Sequence, residues 1–190
     1  VIKDGDTDEQ RVQYRRSELE SLVRTMGMEH AESVIVTLRD PHPAFFVGTG
    51  KRDEIAAQAA EVSADCIAFD RNLNPTQQRN WEKLAERTVI DRREVILDIF
   101  CKRAQTREAR LQTQLARFEY QLPRLRRAWT HLERQRGGAG LRGGAGELQL
   151  ELDQRRIRDW IASIKAELAE TRKRRSVQRG KRESKPVPNA

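Results

Sequence analysis

What this 190-residue chain does not contain narrows its function considerably. No apolar run approaches the ~20 residues needed to cross a bilayer, and no secretory leader is visible. Cys66 and Cys101 are isolated in apolar surroundings, which reads as two buried, reduced thiols of a cytosolic protein rather than a disulfide or a reactive site. His30, His42 and His131 stand far apart and match no metal-ligand spacing, so no metal is assigned. No Ser/His/Asp or Cys/His set is recognisable. Asp70, Asp91 and Asp98 fall near expected element ends, where capping and structural hydrogen bonds explain them as well as catalysis does.

A phosphate-binding loop is also missing. Gly48-Thr-Gly-Lys51 resembles one, but the pattern needs a glycine five positions before Gly50, where Phe45 stands. It also needs Ser or Thr after Lys51, where Arg52 stands, so a Mg²⁺-nucleotide site of that type is not encoded. No catalytic site or cofactor is assigned to the chain, and its residues read as a binding module.

What is present is charge, unevenly spread. Hydrophobic residues make up 37% and charged residues 35%, fitting a helix-rich protein with a large solvated surface. The net charge of +8 conceals a polarity. Residues 1–100 hold 14 Lys and Arg against 19 Asp and Glu, whereas residues 101–190 hold 23 against 10. Such asymmetry argues for one half that faces nucleic acid and one with another task.

The first half alternates helix and strand signals. Arg11 to Met28 has apolar residues at helical spacing and ends at Gly27. Ser33 to Leu38 is a β-branched run, Ala44 to Val47 a short extended piece, and Lys51 to Val62 an alanine-rich helix. Cys66 to Phe69 reads as a buried strand, and Asn74-Pro75 as the cap and first residue of a helix running to about Glu86. Thr88 to Ile90 is a further strand, and a strand before residue 11 is expected either at Val1-Ile2 or among residues trimmed from the start. Alternation of this kind predicts an α/β fold with a small, mostly parallel sheet and flanking helices over residues 1–96.

The second half is helical. Leu97, Phe100, Ala104, Leu111, Leu115, Phe118, Leu122, Leu125, Trp129 and Leu132 follow steps of three and four, with one gap at Arg107–Glu108. Leu150, Ile157, Ile161, Ile164 and Leu168 provide a matching stripe. Between them lies Arg134-Gln-Arg-Gly-Gly-Ala-Gly-Leu-Arg-Gly-Gly-Ala-Gly-Glu147, whose glycines interrupt the helices. The expectation is a long, coiled-coil-like antiparallel hairpin over 97–178 with a glycine-rich tip at 137–146. Pro123 is expected to bend the first arm without ending it. From Gly180 the composition turns to that of a linker, placed at 179–190.

The tip carries Arg134, Arg136 and Arg142 beside Gly137, Gly138, Gly140, Gly143 and Gly146, and no acid before Glu147. Phosphates would meet those arginines, and glycine amides would approach RNA closely. Arg155, Arg156 and the run Arg172, Lys173, Arg174, Arg175 would meet phosphates along the second arm. Contacts of this sort read shape and charge rather than bases. The plainer alternatives are that glycine turns hairpins, arginine solvates surfaces, and cations complement the negative end of a helix.

Blocks from residue 46 to 157 resemble the N-terminal region of the HflX family of ribosome-associated GTPases. They include Val47-Gly-Thr-Gly-Lys51, Phe69-Asp70, Val89-Ile-Asp-Arg92, Ile96-Leu-Asp-Ile-Phe100, Thr106-Arg-Glu108, Leu122-Pro-Arg-Leu125, Gly137-Gly-Ala-Gly140 and Arg155-Arg-Ile157. The resemblance implies a small α/β subdomain, a helical hairpin, then a GTPase domain in the same full-length chain that would bind GTP and Mg²⁺. It implies binding to the large ribosomal subunit and its ribosomal RNA, with the hairpin tip near the peptidyl-transferase region, and ribosome splitting under stress. A cytoplasmic monomer is expected. The start at Val1 suggests trimming, and the end at Ala190 fits either a fragment or a shortened relative. Gly143-Gly-Ala-Gly146 before Glu147 departs from the family's Gly-Pro-Gly-Glu, as does Leu141 from a small polar residue, so detailed tip contacts do not transfer.

Two other readings compete. One is an independent nucleotide-binding and hydrolysing domain in residues 1–100, as ATP binding reported for some family members would suggest. The other is a coiled-coil dimerisation module, because the same seams can pair between chains.

Overall fold

A computed structural model describes residues 2–4, 8–38, 40–136 and 144–183, with side chains over 8–38, 40–125 and 151–180. The element order is β1 (Ile2–Asp4), α1 (Glu9–Thr25), β2 (Val36–Leu38), α2 (Thr49–Glu61), β3 (Cys66–Phe69), α3 (Pro75–Ala85), β4 (Thr88–Asp91), α4 (Arg92–Arg103), α5 (Arg107–Arg136) and α6 (Gly144–Glu183). The α/β half with parallel strands and the long helical hairpin are both present. The strands form two parallel pairs, β1 with β2 and β3 with β4, rather than one continuous ladder.

Period-two alternation places the β3–β4 pair between two apolar layers. Ile67 and Phe69 of β3 and Val89 of β4 pack with Val36, Leu38, Val47, Ile55, Leu73 and Trp81. Cys66 and Ala68 of β3 and Ile90 of β4 face the other way, onto Val95 and Ile99 of α4 and Leu22 and Met26 of α1. Trp81 is fully buried, and its indole Nε1 donates to the Phe45 carbonyl over 2.7 Å, which satisfies the one polar atom of the ring.

Local chemistry sets the helix starts. Asn74 Oδ1 accepts from the amides of Thr76 and Gln77, and Gln77 Oε1 accepts from the amide of Asn74, a reciprocal cap with Pro75 at the first helical position. Asp91 closes β4 and caps α4 by accepting from the Glu94 amide at 2.9 Å. Ala44 to Val47 does not form a strand: His42 and Phe46 make an isolated antiparallel bridge, and Phe46 has a φ of 68°. Its carbonyls and rings are taken up by Trp81 and Asn80 instead.

The apolar stripe that starts at Leu97 does not lie on one helix. Ala104 is extended, Thr106 Oγ1 accepts from the Ala109 amide, and α5 begins after it, so the break falls at the gap in the stripe. Leu97 and Phe100 therefore belong to α4, where Phe100 is 57% exposed. α5 continues through Pro123. α6 starts at Gly144, which places Gly146 in its first turn, where amides lack helical partners anyway. It also passes Gly180, because one glycine costs only ~1 kcal/mol in a long run of good helix formers.

Candidate nucleic-acid interface

α5 and α6 pack as an antiparallel pair: contacts advance along one helix as they retreat along the other. Arg107 bonds Glu167 (Nε to Oε1, 2.8 Å), while further along α5 Phe118 meets Trp160 with ring centroids 5.3 Å apart. Lys165 and Glu119 pair at 2.8 Å, and Arg175 reaches Glu108 at 2.5 Å. Between these rungs Leu111, Ile164 and Leu168 are buried, with Leu115 and Phe118 packed against them. At 30 and 40 residues the helices extend ~45 and ~60 Å.

The cations assigned to RNA fall into three groups. Arg155, Arg156, Arg172, Lys173, Arg174 and Arg175 are all exposed on α6. Arg156 lies 3.6 Å from Asp153, Arg174 lies 3.0 Å from Glu170, and Arg175 is engaged by Glu108. Arg155, Arg172 and Lys173 make no ion pair among the described residues. Arg134 and Arg136 occupy the last turn of α5, and only their backbone is described. Gly137, Gly138, Gly140, Arg142 and Gly143 lie outside the described residues.

The arm is tied to the α/β half by a residue that charge counting does not single out. Arg124 Nη2 donates to Asp91 Oδ2 at 3.0 Å and to the Leu73 carbonyl at 2.9 Å; its Nε donates to Gln78 Oε1 at 2.7 Å and its Nη1 to the Tyr120 carbonyl at 3.1 Å. The guanidinium lies 3.4 Å from the Tyr120 ring centroid. Asp91 is 1% exposed and also accepts from the Leu73 amide. Tyr120 donates to Glu94 Oε2 at 3.1 Å, and Gln78 Nε2 donates to the Val89 carbonyl and to Glu94. Burial, reinforced by the Asp91 charge, raises the Glu94 carboxyl above its ordinary value despite those donors. Burial likewise raises the Tyr120 phenol. One cation thus ties α3, β4 and α5 together. Its sequence signals were Asp91 at a strand end and Arg124 within Leu122-Pro-Arg-Leu125.

The remaining candidates have structural roles. Asp70, 2% exposed, is bonded by Arg15, and Asp98 pairs with Lys102 at 2.9 Å. Gly48 caps α2 and Lys51 pairs with Glu54. Cys66 and Cys101 form no disulfide and are half-buried, and burial pushes the Cys66 thiol up to about 11, which keeps it protonated. Among the described residues there is no cluster of His, Cys, Asp and Glu able to hold a metal ion, and no helix long and apolar enough to cross a membrane.

Residues 13–101 match the family described as GTP-binding GTPase N-terminal, and residues 103–182 match that described as GTP-binding GTPase Middle Region. An α/β body followed by a helical arm is thus the paired N-terminal and middle regions of a GTP-binding GTPase. The chain belongs to the HflX family. It is 46% identical over 171 residues to the GTPase HflX of Escherichia coli strain K12, covering 90% of this chain and 40% of that protein. Against the GTPase HflX of Akkermansia muciniphila the identity is 47% over 180 residues, covering 91% and 41%. The chain spans about 40% of the length of these curated relatives. The fold resembles that of SsGBP in its GDP complex (TM-score 0.58, 18% identity, 100% of this chain and 47% of that one). It also resembles a GTP-binding protein from Sulfolobus solfataricus in complex with GDP (TM-score 0.55, 19% identity, 84% and 43%).

Proposed function

We propose that this chain is the RNA-binding N-terminal module of an HflX-type GTPase, and that it binds the large ribosomal subunit through its hairpin. The supporting observation is the antiparallel arm, whose second helix exposes Arg155, Arg172 and Lys173 without acidic partners among the described residues. Phosphate contacts along that helix would guide the glycine-rich segment 137–146 and its arginines toward the peptidyl-transferase region. The division of labour is a body (1–96), an arm (97–178) and a linker (179–190) toward a GTPase domain. In the full-length protein that domain supplies GTP and Mg²⁺ binding, and the assembly splits ribosomes under stress in the cytoplasm.

Pelleting with purified large ribosomal subunits tests this. The triple variant Arg134→Glu/Arg136→Glu/Arg142→Glu should lose most binding, and binding should weaken steeply with salt. Undiminished pelleting by the triple variant would refute the tip as the contact. The dimerisation reading meets a physical obstacle, because Leu111, Phe118, Ile164 and Leu168 already fill the seam within one chain. Sedimentation at low and high salt checks that a monomer persists.

A further inference from the structure

The α/β half contains a cavity of about 590 Å³ that the RNA reading does not use. It lies beside the two strand pairs, within the size range of small-molecule sites. Its walls are apolar, with Leu19 and Val23 from α1, Val36 from β2, Ile55 and Ala59 from α2 and Ala68 from β3.

Its charged fringe is mainly acidic. Glu20, Glu29, Glu32, Asp65 and Asp70 line it together with His30, whose Nε2 lies 3.6 Å from Glu20, and among the described residues no lysine or arginine does. Glu20 is bonded by Arg16 and Ser33, and Asp70 by Arg15. Glu29, Glu32 and Asp65 are exposed and make no ion pair among the described residues. The backbone adds to this field. Val23 of α1 and Gln58 and Ala59 of α2 lie in the last turns of their helices, so both helices turn their partially negative ends toward the cavity. A phosphate site needs the opposite arrangement, with helix N-termini and cations facing the ligand.

We propose that this cavity binds a small amphipathic cation, an ammonium group on a compact apolar body, and selects against anions, nucleotides included. The apolar body fills the space between α1, α2 and the strands, while the ammonium sits at the mouth among Glu29, Glu32 and Asp65. This site is independent of the RNA-binding arm, so either can fail alone.

The test uses two probes with the same cage and opposite charge, 1-aminoadamantane and 1-adamantanecarboxylate, titrated into the whole chain and followed by methyl NMR. The amine should bind about ten-fold tighter or more, shift the methyls of Met28, Ala59 and Ala68, and lose its advantage as salt rises. Ala59→Trp should abolish saturable binding. Glu29→Gln/Glu32→Gln/Asp65→Asn changes only exposed positions, and should bring the two affinities together while leaving the cage bound. No binding of either probe, equal or tighter carboxylate binding, shifts outside the cavity, or displacement of the amine by ATP would each overturn the proposal. Should Ala59→Trp fail to fold, the triple variant decides: an unchanged affinity ratio rejects the charge selection.

Discussion

Arg124 Nη2 lies 3.0 Å from Asp91 Oδ2, joining a residue just past the proline of the long arm to the last residue of a buried strand. The pair couples two functions of one carboxylate. Asp91 caps α4 through one oxygen and holds α5 through the other, so the start of α4 and the arm share an anchor.

Removing the cation from this pair leaves a carboxylate that is 1% exposed without its counter-ion. Arg124→Met should therefore destabilise the protein by ~3–5 kcal/mol in urea titrations. Arg124→Lys cannot reproduce the four directed donations and should recover only part of that loss. A loss below ~1 kcal/mol for Arg124→Met would show that the joint is held by packing alone.

Glu94 sets a pH dependence of opposite sign to an ordinary ion pair. Its carboxyl is raised from 4.5, chiefly by burial, so the folded state takes up its proton more readily than the unfolded chain does. The associated stability is fully present below pH 4.5 and is lost as pH rises through the folded-state value. Glu82, raised by burial as well, adds in the same direction. Glu94→Gln keeps an acceptor for Tyr120 and should flatten this part of the melting-temperature profile. At neutral pH it should melt no lower than the parent, and a clear drop there would count against the burial argument.

Along the second arm, the unpaired and paired cations should behave differently. Changing Arg155, Arg172 and Lys173 to Gln should weaken RNA binding across sequences and reduce the slope of log affinity against log salt by ~1 per lost phosphate contact. Arg174→Gln and Arg175→Gln remove charges that Glu170 and Glu108 already engage, so their effect on the slope should be smaller. Equal slopes for the two sets would mean that these intramolecular pairs do not restrain the side chains.

Within the hairpin, Phe118 and Trp160 stack, but only Phe118 also packs on the buried cluster of Leu111, Ile164 and Leu168. Phe118→Ala should cost ~3 kcal/mol, whereas Trp160→Ala, at 52% exposure, should cost ~1 kcal/mol. Hydrogen exchange of the α5 and α6 amides reads the difference. Similar protection in both variants would argue that the aromatic pair contributes nothing beyond the aliphatic seam.

Several elements were legible because their causes are local. Asn74-Pro75 announces a helix start through groups within three residues, and Cys66 to Phe69 and Thr88 to Asp91 follow from their apolar composition. The arm's seam follows from helical spacing, as does its continuation through Pro123. Ala44 to Val47 was not legible, since Trp81 and Asn80, more than thirty residues away, take its carbonyls. The α4–α5 break falls in the one gap of the apolar stripe, and it was hidden because the stripe resumes at Leu111 with the same spacing, although Thr106 supplies a cap.

The sequence by itself determined most of the helices and strands, the acidic body, the basic arm and the lack of a phosphate-binding loop, because spacing, capping and charge are properties of neighbours along the chain. Tertiary structure alone decided the rest: strands joined in two pairs with an acid-fringed cavity beside them, and an arm tied to the α/β half by Arg124 in contact with Asp91. Those features depend on groups 30 or more residues apart meeting in a low-dielectric interior. There one buried charge must find its partner, a requirement that no local pattern records.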